Sequence, residues 1–106
     1  MAWIFLILAG ILEVVWAYFM KQSEGFTKLV PSALTIIIMI VSFALLSFSM
    51  RSMPLGTAYA VWTGIGAVGA FIVGVLLLGE ELNLIRIMAA IFIVIGLIMM
   101  KISANN

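Results

Sequence analysis

Four apolar runs, each long enough to cross the hydrocarbon core of a bilayer, fill almost the whole sequence and leave only short polar punctuation between them. Such a crossing takes roughly 17 to 25 helical residues. The pattern predicts helices over about 2–20, 29–48, 55–78 and 84–100. Lys21-Gln22-Ser23-Glu24-Gly25 turns the chain back after the first run. Pro31 is tolerable in the first turn of the second, and Arg51 and Pro54 mark the next break. Gly79-Glu80-Glu81 ends the third run, Asn83 is a plausible N-cap for the fourth, and Lys101 stops it.

Composition agrees with that reading. With 67% hydrophobic and 8% charged residues among 106, and a mean hydropathy of +1.42, the chain cannot cover a soluble surface with polar groups. The expected class is an all-α membrane protein, one four-helix domain over residues 1–106. The first run lacks a basic leader and a small-x-small cleavage site and contains Glu13, so it reads as a retained helix rather than a signal peptide. A net charge of +1 with no two basic residues adjacent argues against nucleic acid. With no Cys and no His, disulfides, zinc sites of the usual ligands and His chemistry drop out, and no metal or cofactor is expected.

Four spans place both termini on one side. That side, with the second loop, carries Arg51 and Lys101, whereas the other carries Lys21, Lys28 and Arg86. Orientation follows an excess of Lys and Arg on the cytoplasmic side, and here the two sides nearly balance. The balance allows insertion in both orientations and an antiparallel homodimer; a small bias fixing one topology is the other reading. Four helices enclose little beyond their own packing, so a solute path is expected between two copies.

Glu13 is the most informative residue. It lies eleven positions into the first helix, roughly 15 Å from the membrane boundary and so near the midplane. An acidic residue there costs about 2.5 to 3.5 kcal/mol on insertion scales. Loss of water favours the neutral acid, whereas a cation in the same cavity favours the carboxylate. Proton and cation then compete for one site, as an exchanger requires. A Glu kept only to hold helices together is the alternative, but no Lys, Arg, His, Asn or Gln lies in any span's centre to pair with it. At helical spacing from Glu13 stand Gly10, Trp16 and Ala17. They offer room, an aromatic face and a charge, a combination that suits a small flat cation.

Three features of the other helices complete the candidate set. Ser42 lies near the centre of the second helix, where its hydroxyl could hold a Glu13 oxygen; Ser47 and Ser49 read as bonded to their own backbone. Tyr59 and Trp62, three apart on the third helix, can wall the same cavity, or Tyr59 can belong to an interfacial aromatic belt. Small residues recur at Gly56, Ala60 and Gly64 and then at Gly66, Ala70 and Gly74. This stripe slips at Gly64-Ile65-Gly66, so its close-packing faces change partners midway and Gly64 and Gly66 are the candidate hinge. The fourth helix has no polar residue between Arg86 and Lys101. Its Ala89, Ala90 and Gly96 are expected to pack a dimer contact. Glu80 and Glu81 read as solvated loop charges.

Two stretches, Ala9-Gly10-Ile11-Leu12-Glu13-Val14-Val15-Trp16 and Pro54 to Ala67, together with Ser23-Glu24-Gly25-Phe26-Thr27, resemble the small multidrug resistance family over essentially the whole chain. The resemblance implies a four-helix transporter working as an antiparallel, dual-topology homodimer in the bacterial inner membrane. Trp16 after the essential Glu, and Ala60 after Tyr59, look like the subtype that exports guanidinium. It further implies proton-coupled antiport of guanidinium and small guanidinyl cations by alternating access. Glu13 would be the shared proton and substrate site, lined by Trp16, Ser42, Tyr59 and Trp62, in a protein that is not an enzyme and is surrounded by membrane lipid. Export of larger quaternary ammonium cations is the rival within transporters, and a non-transporting membrane assembly subunit the rival outside them.

Overall fold

A computed structural model describes residues 2–103. Four helices follow one another: α1 (Ala2–Gln22), α2 (Leu29–Ser49), α3 (Leu55–Leu77) and α4 (Leu84–Ser103). Each is long and apolar enough to cross a membrane, and no strand occurs among the described residues. α1 runs past the expected position 20 to Gln22 and α4 past position 100 to Ser103. Lys21 and Gln22 keep their backbone bonded in the helix while their polar ends reach toward water, and Lys101 stays helical with its ammonium over the Trp3 ring.

The turns between helices follow from local chemistry. After α1 the buried Ser23 hydroxyl donates to the Met20 carbonyl at 2.6 Å and accepts from the Phe26 amide at 3.0 Å. This bonding spans the reversal, in which Glu24, Gly25 and Phe26 have φ of 51°, 76° and 65°. Pro54, at φ −60°, precedes the first turn of α3. At the other end of α3, Gly79 takes φ 68° and lets the amides of Leu78 and Glu80 both bond the Gly74 carbonyl, at 3.2 and 3.0 Å. Glu80 is not simply a solvated loop charge. It is exposed, yet its carboxylate lies against Gly74, where any side chain would displace it. Asn83 then caps α4, its Oδ1 accepting from the Arg86 amide at 2.9 Å.

Packing is uneven. α1 lies against both α2 and α3, and α3 carries α4, which meets α1 only through side chains such as Lys101 on Trp3. The buried core is Leu6, Ala9, Leu46, Met53, Ala58, Val61 and Trp62, all from α1, α2, α3 and the α2–α3 loop. The structure measures 42 × 34 × 16 Å. Helices pack about 8–10 Å apart, so the thin dimension holds little more than one layer and encloses no interior.

In lipid, helices are not driven together by water, and contact depends on small residues and interhelical hydrogen bonds. The slipped stripe of α3 supplies those contacts on two sides. Gly64 meets Leu97 of α4, whereas Gly66 and Gly69 meet Glu13 and Val14 of α1. Through Gly64-Ile65-Gly66 the helix is continuous.

Candidate functional site

The membrane-buried acid sits where α1 crosses α3. Glu13 places its carboxylate directly over the α-carbon of Gly66, in space that even a methyl group there would fill. Its Oε1 is buried and has no hydrogen-bond partner among the described residues. One turn on, the Trp16 indole N–H is likewise buried and unpartnered. Leaving a buried polar group unsatisfied costs about 1–3 kcal/mol. An acceptor and a donor three residues apart on α1 are thus both left unbonded among the described residues.

An aromatic wall runs from this pair across three helices. Trp16 meets Phe43 of α2 edge-on, with centroids 6.3 Å apart, and Phe43 meets Trp62 of α3 at 5.6 Å. Trp62 continues to Tyr59 at 5.7 Å. Trp62 is only 7% exposed and Tyr59 54% exposed, so the wall passes from a fixed inner ring to an open outer one.

Ser42 holds the wall in register, by a route other than the one expected. The sequence pointed to a bond with Glu13. Instead the fully buried hydroxyl donates to the Ala9 carbonyl at 2.7 Å and accepts from the Trp62 indole N–H at 3.2 Å. A hydroxyl has one hydrogen, and Ala9 takes it. In an α-helix the carbonyl of residue 9 also receives the amide of residue 13. Ser42 thus ties Trp62 to the turn of α1 that carries Glu13, while leaving the carboxylate free.

Direct contacts link Trp16, Ser42, Tyr59 and Trp62 through Phe43 and the Ser42–Trp62 bond, and Glu13 lies on α1 between the Ala9 carbonyl that Ser42 bonds and Trp16. Gly10 has no part in these contacts. The room expected beside it is filled by Ile65 of α3, whose Cγ2 would lie 2.7 Å from a Cβ at position 10. Phe43 was missing from the sequence-derived set although it joins Trp16 to Trp62. Its adjacency to Ser42, at the depth of Glu13, was the available signal. On α4, Ala89 is exposed and Ala90 and Gly96 are half-buried, and a Cβ on Gly96 would meet nothing within 4 Å. Ala90 borders an apolar furrow of about 300 Å³ between α3 and α4.

A buried carboxylate oxygen with no hydrogen-bond partner, on the helix that also carries Trp16, is suited chemically to a cation or a proton. The comparison with known proteins points the same way. The Small Multidrug Resistance protein family matches residues 1–93. The guanidinium exporter of Escherichia coli strain K12 is 55% identical over 105 residues, covering 99% of this chain and 100% of that protein. The guanidinium exporters of Citrobacter freundii and Salmonella typhimurium are 57% identical over the same spans. With its four membrane helices, the chain belongs to the Small Multidrug Resistance family, as a multi-pass inner-membrane transporter rather than an enzyme, of a kind that works as a small dimer and carries cations.

Proposed function

We propose that this chain exports guanidinium and small guanidinyl cations in exchange for protons, from an antiparallel homodimer that alternates its open side. The observation that carries the reading is the unpartnered, buried Glu13 oxygen, three residues before Trp16 on α1, where the Trp16–Phe43–Trp62–Tyr59 wall begins. Guanidinium is planar, presents N–H donors that match a carboxylate edge, and stacks on aromatic faces. It has no acceptor, so the Trp16 N–H is left for a carboxylate oxygen. The names of the full-length relatives support the same substrate class.

Exchange follows from one acid serving two ligands. Protonated Glu13 is neutral and can remain in the low-dielectric seam without a guest; ionised Glu13 is stable there only with a cation beside it. Proton arrival from outside releases the cation, and cation arrival from inside releases the proton. Because one chain is barely thicker than one helix layer, its wall is half a cavity, and a second copy supplies the other half. The near balance of Arg51 and Lys101 against Lys21, Lys28 and Arg86 favours opposite insertion of the two copies, which makes inward and outward states equivalent by symmetry. Gly64 on Leu97 and Gly66 on Glu13 are the hinge positions, where a change at the acid is felt by the α3 packing.

Purified protein in liposomes carrying a pH gradient tests this. Wild type should accumulate guanidinium against its gradient, in preference to tetraalkylammonium ions, and Glu13→Gln should abolish the coupling. Coupled transport retained by Glu13→Gln would remove the acid from the mechanism. A stronger drive on quaternary ammonium ions would move the substrate class.

A further inference from the structure

Ten residues before Glu13, the start of α1 meets the end of α4. The Lys101 ammonium lies over the face of Trp3, 4.4 Å from the ring centroid. An apolar furrow of about 290 Å³ runs between the helices, lined by Trp3 and Lys101 together with Ile7, Val61, Ile65 and Leu97 among others. A lysine at a helix end usually extends its ammonium into water. This one is turned over a ring that attracts the charge without neutralising it. Among the described residues the one ion pair joins Lys28 to Glu24, in the α1–α2 loop, so Lys101 has no carboxylate partner there.

A positive charge at the end of a membrane span, above a furrow with hydrocarbon walls, is complementary to a molecule with an anionic head and an apolar tail. Trp characteristically marks the headgroup level, and basic pockets between membrane helices bind anionic lipid heads. We propose that this furrow is a binding site for an anionic phospholipid, with the phosphate on Lys101 Nζ beside Trp3 and one acyl chain along Ile7, Val61, Ile65 and Leu97. The site lies on the rim of the bundle and is independent of the cation bound at Glu13.

Brominated lipids read this contact through tryptophan quenching. The full chain is reconstituted into phosphatidylcholine vesicles with a minor fraction of brominated phosphatidylglycerol or, in parallel, brominated phosphatidylcholine. Wild type should be quenched at least twofold more by the anionic lipid at equal mole fraction. Trp3→Phe should remove that excess, Lys101→Gln should bring the ratio to about one, and Lys101→Arg should keep it. Arg51→Gln, which changes a loop charge elsewhere, should leave the ratio as in wild type. Equal quenching by the two lipids in wild type overturns the proposal. So does an anionic preference that survives Lys101→Gln, or one lost equally in Arg51→Gln. A dimer that dissociates in Lys101→Gln, with no lipid preference in wild type, would assign the furrow to a second copy instead and would also overturn it.

Discussion

Helices α1 and α4 are apolar spans of 21 and 20 residues, yet the molecule uses them in opposite ways. α1 is gripped on two sides and carries Glu13 and Trp16, whose polar atoms are buried and open to an outside partner. α4 packs its backbone on α3 alone, has no buried residue, and presents apolar side chains around most of its surface. Apolar length is what places each helix in the bilayer, and both have it. What sets α1 apart is a polar group at mid-depth with a small neighbour, Gly66, close against it, while Gly69 lies against Val14. α4 has small residues too, but Gly96 faces open space in this chain, which leaves that face for contact outside it.

The sharpest way to break this contrast is at Gly66. A methyl group there would occupy the place of the Glu13 carboxylate. Displacing a reacting group by about 1 Å can cost roughly 100-fold in rate. Gly66→Ala should therefore lower proton-coupled guanidinium exchange in liposomes by about that factor while leaving helix content unchanged by circular dichroism. Near-normal exchange would mean that α3 does not position the acid.

Next in size is Ser42→Ala, which leaves the buried Trp62 indole without its acceptor and removes a bond to Ala9. A loss of about 1–3 kcal/mol in reversible unfolding from mixed micelles is expected, with Ser42→Thr retaining part of it. An unchanged midpoint in Ser42→Ala would show that the α1–α2–α3 tie carries no stability.

Smaller effects are expected on the α4 side. A Cβ at position 96 would meet nothing within 4 Å, so Gly96→Leu should not destabilise the monomer. If a second copy packs there, the dimer fraction in crosslinking should drop. An intact dimer would move the interface along α4. The smallest effect lies in the first loop, where the hydrogen bond and charge of Lys28 hold the exposed Glu24 carboxyl below the usual carboxylate range. A lowered value means that the pair's contribution is present above the ordinary range and is lost as pH falls through the lowered one. Lys28→Gln should raise the Glu24 titration midpoint seen by NMR, and an unmoved midpoint would show that the two side chains do not interact in solution.

Much of this was readable before any coordinates. Membrane residence and four helices follow from the apolar runs, because a bilayer admits helices of about that length and penalises unbonded backbone. Glu13 stood out for the related reason that a lone acid in an apolar span is costly enough to need a use. The slip of the small-residue stripe at Gly64-Ile65-Gly66 correctly implied two packing partners, since residues two apart on a helix face nearly opposite ways.

Partner choice, by contrast, belonged to the tertiary structure. Periodicity names the face of a helix but not the atom that faces it. The sequence therefore could not tell that Ile65 fills the space beside Gly10, that Ser42 gives its one hydrogen to Ala9 rather than to Glu13, or that Phe43 joins the two tryptophans. A hydrogen bond is made over about 3 Å and a ring contact over about 6 Å, so each depends on how the helices cross. The sequence alone determined that an acid would be buried in oil; the crossing of α1 over α3 decided which of its neighbours are bonded to each other and left its oxygen open.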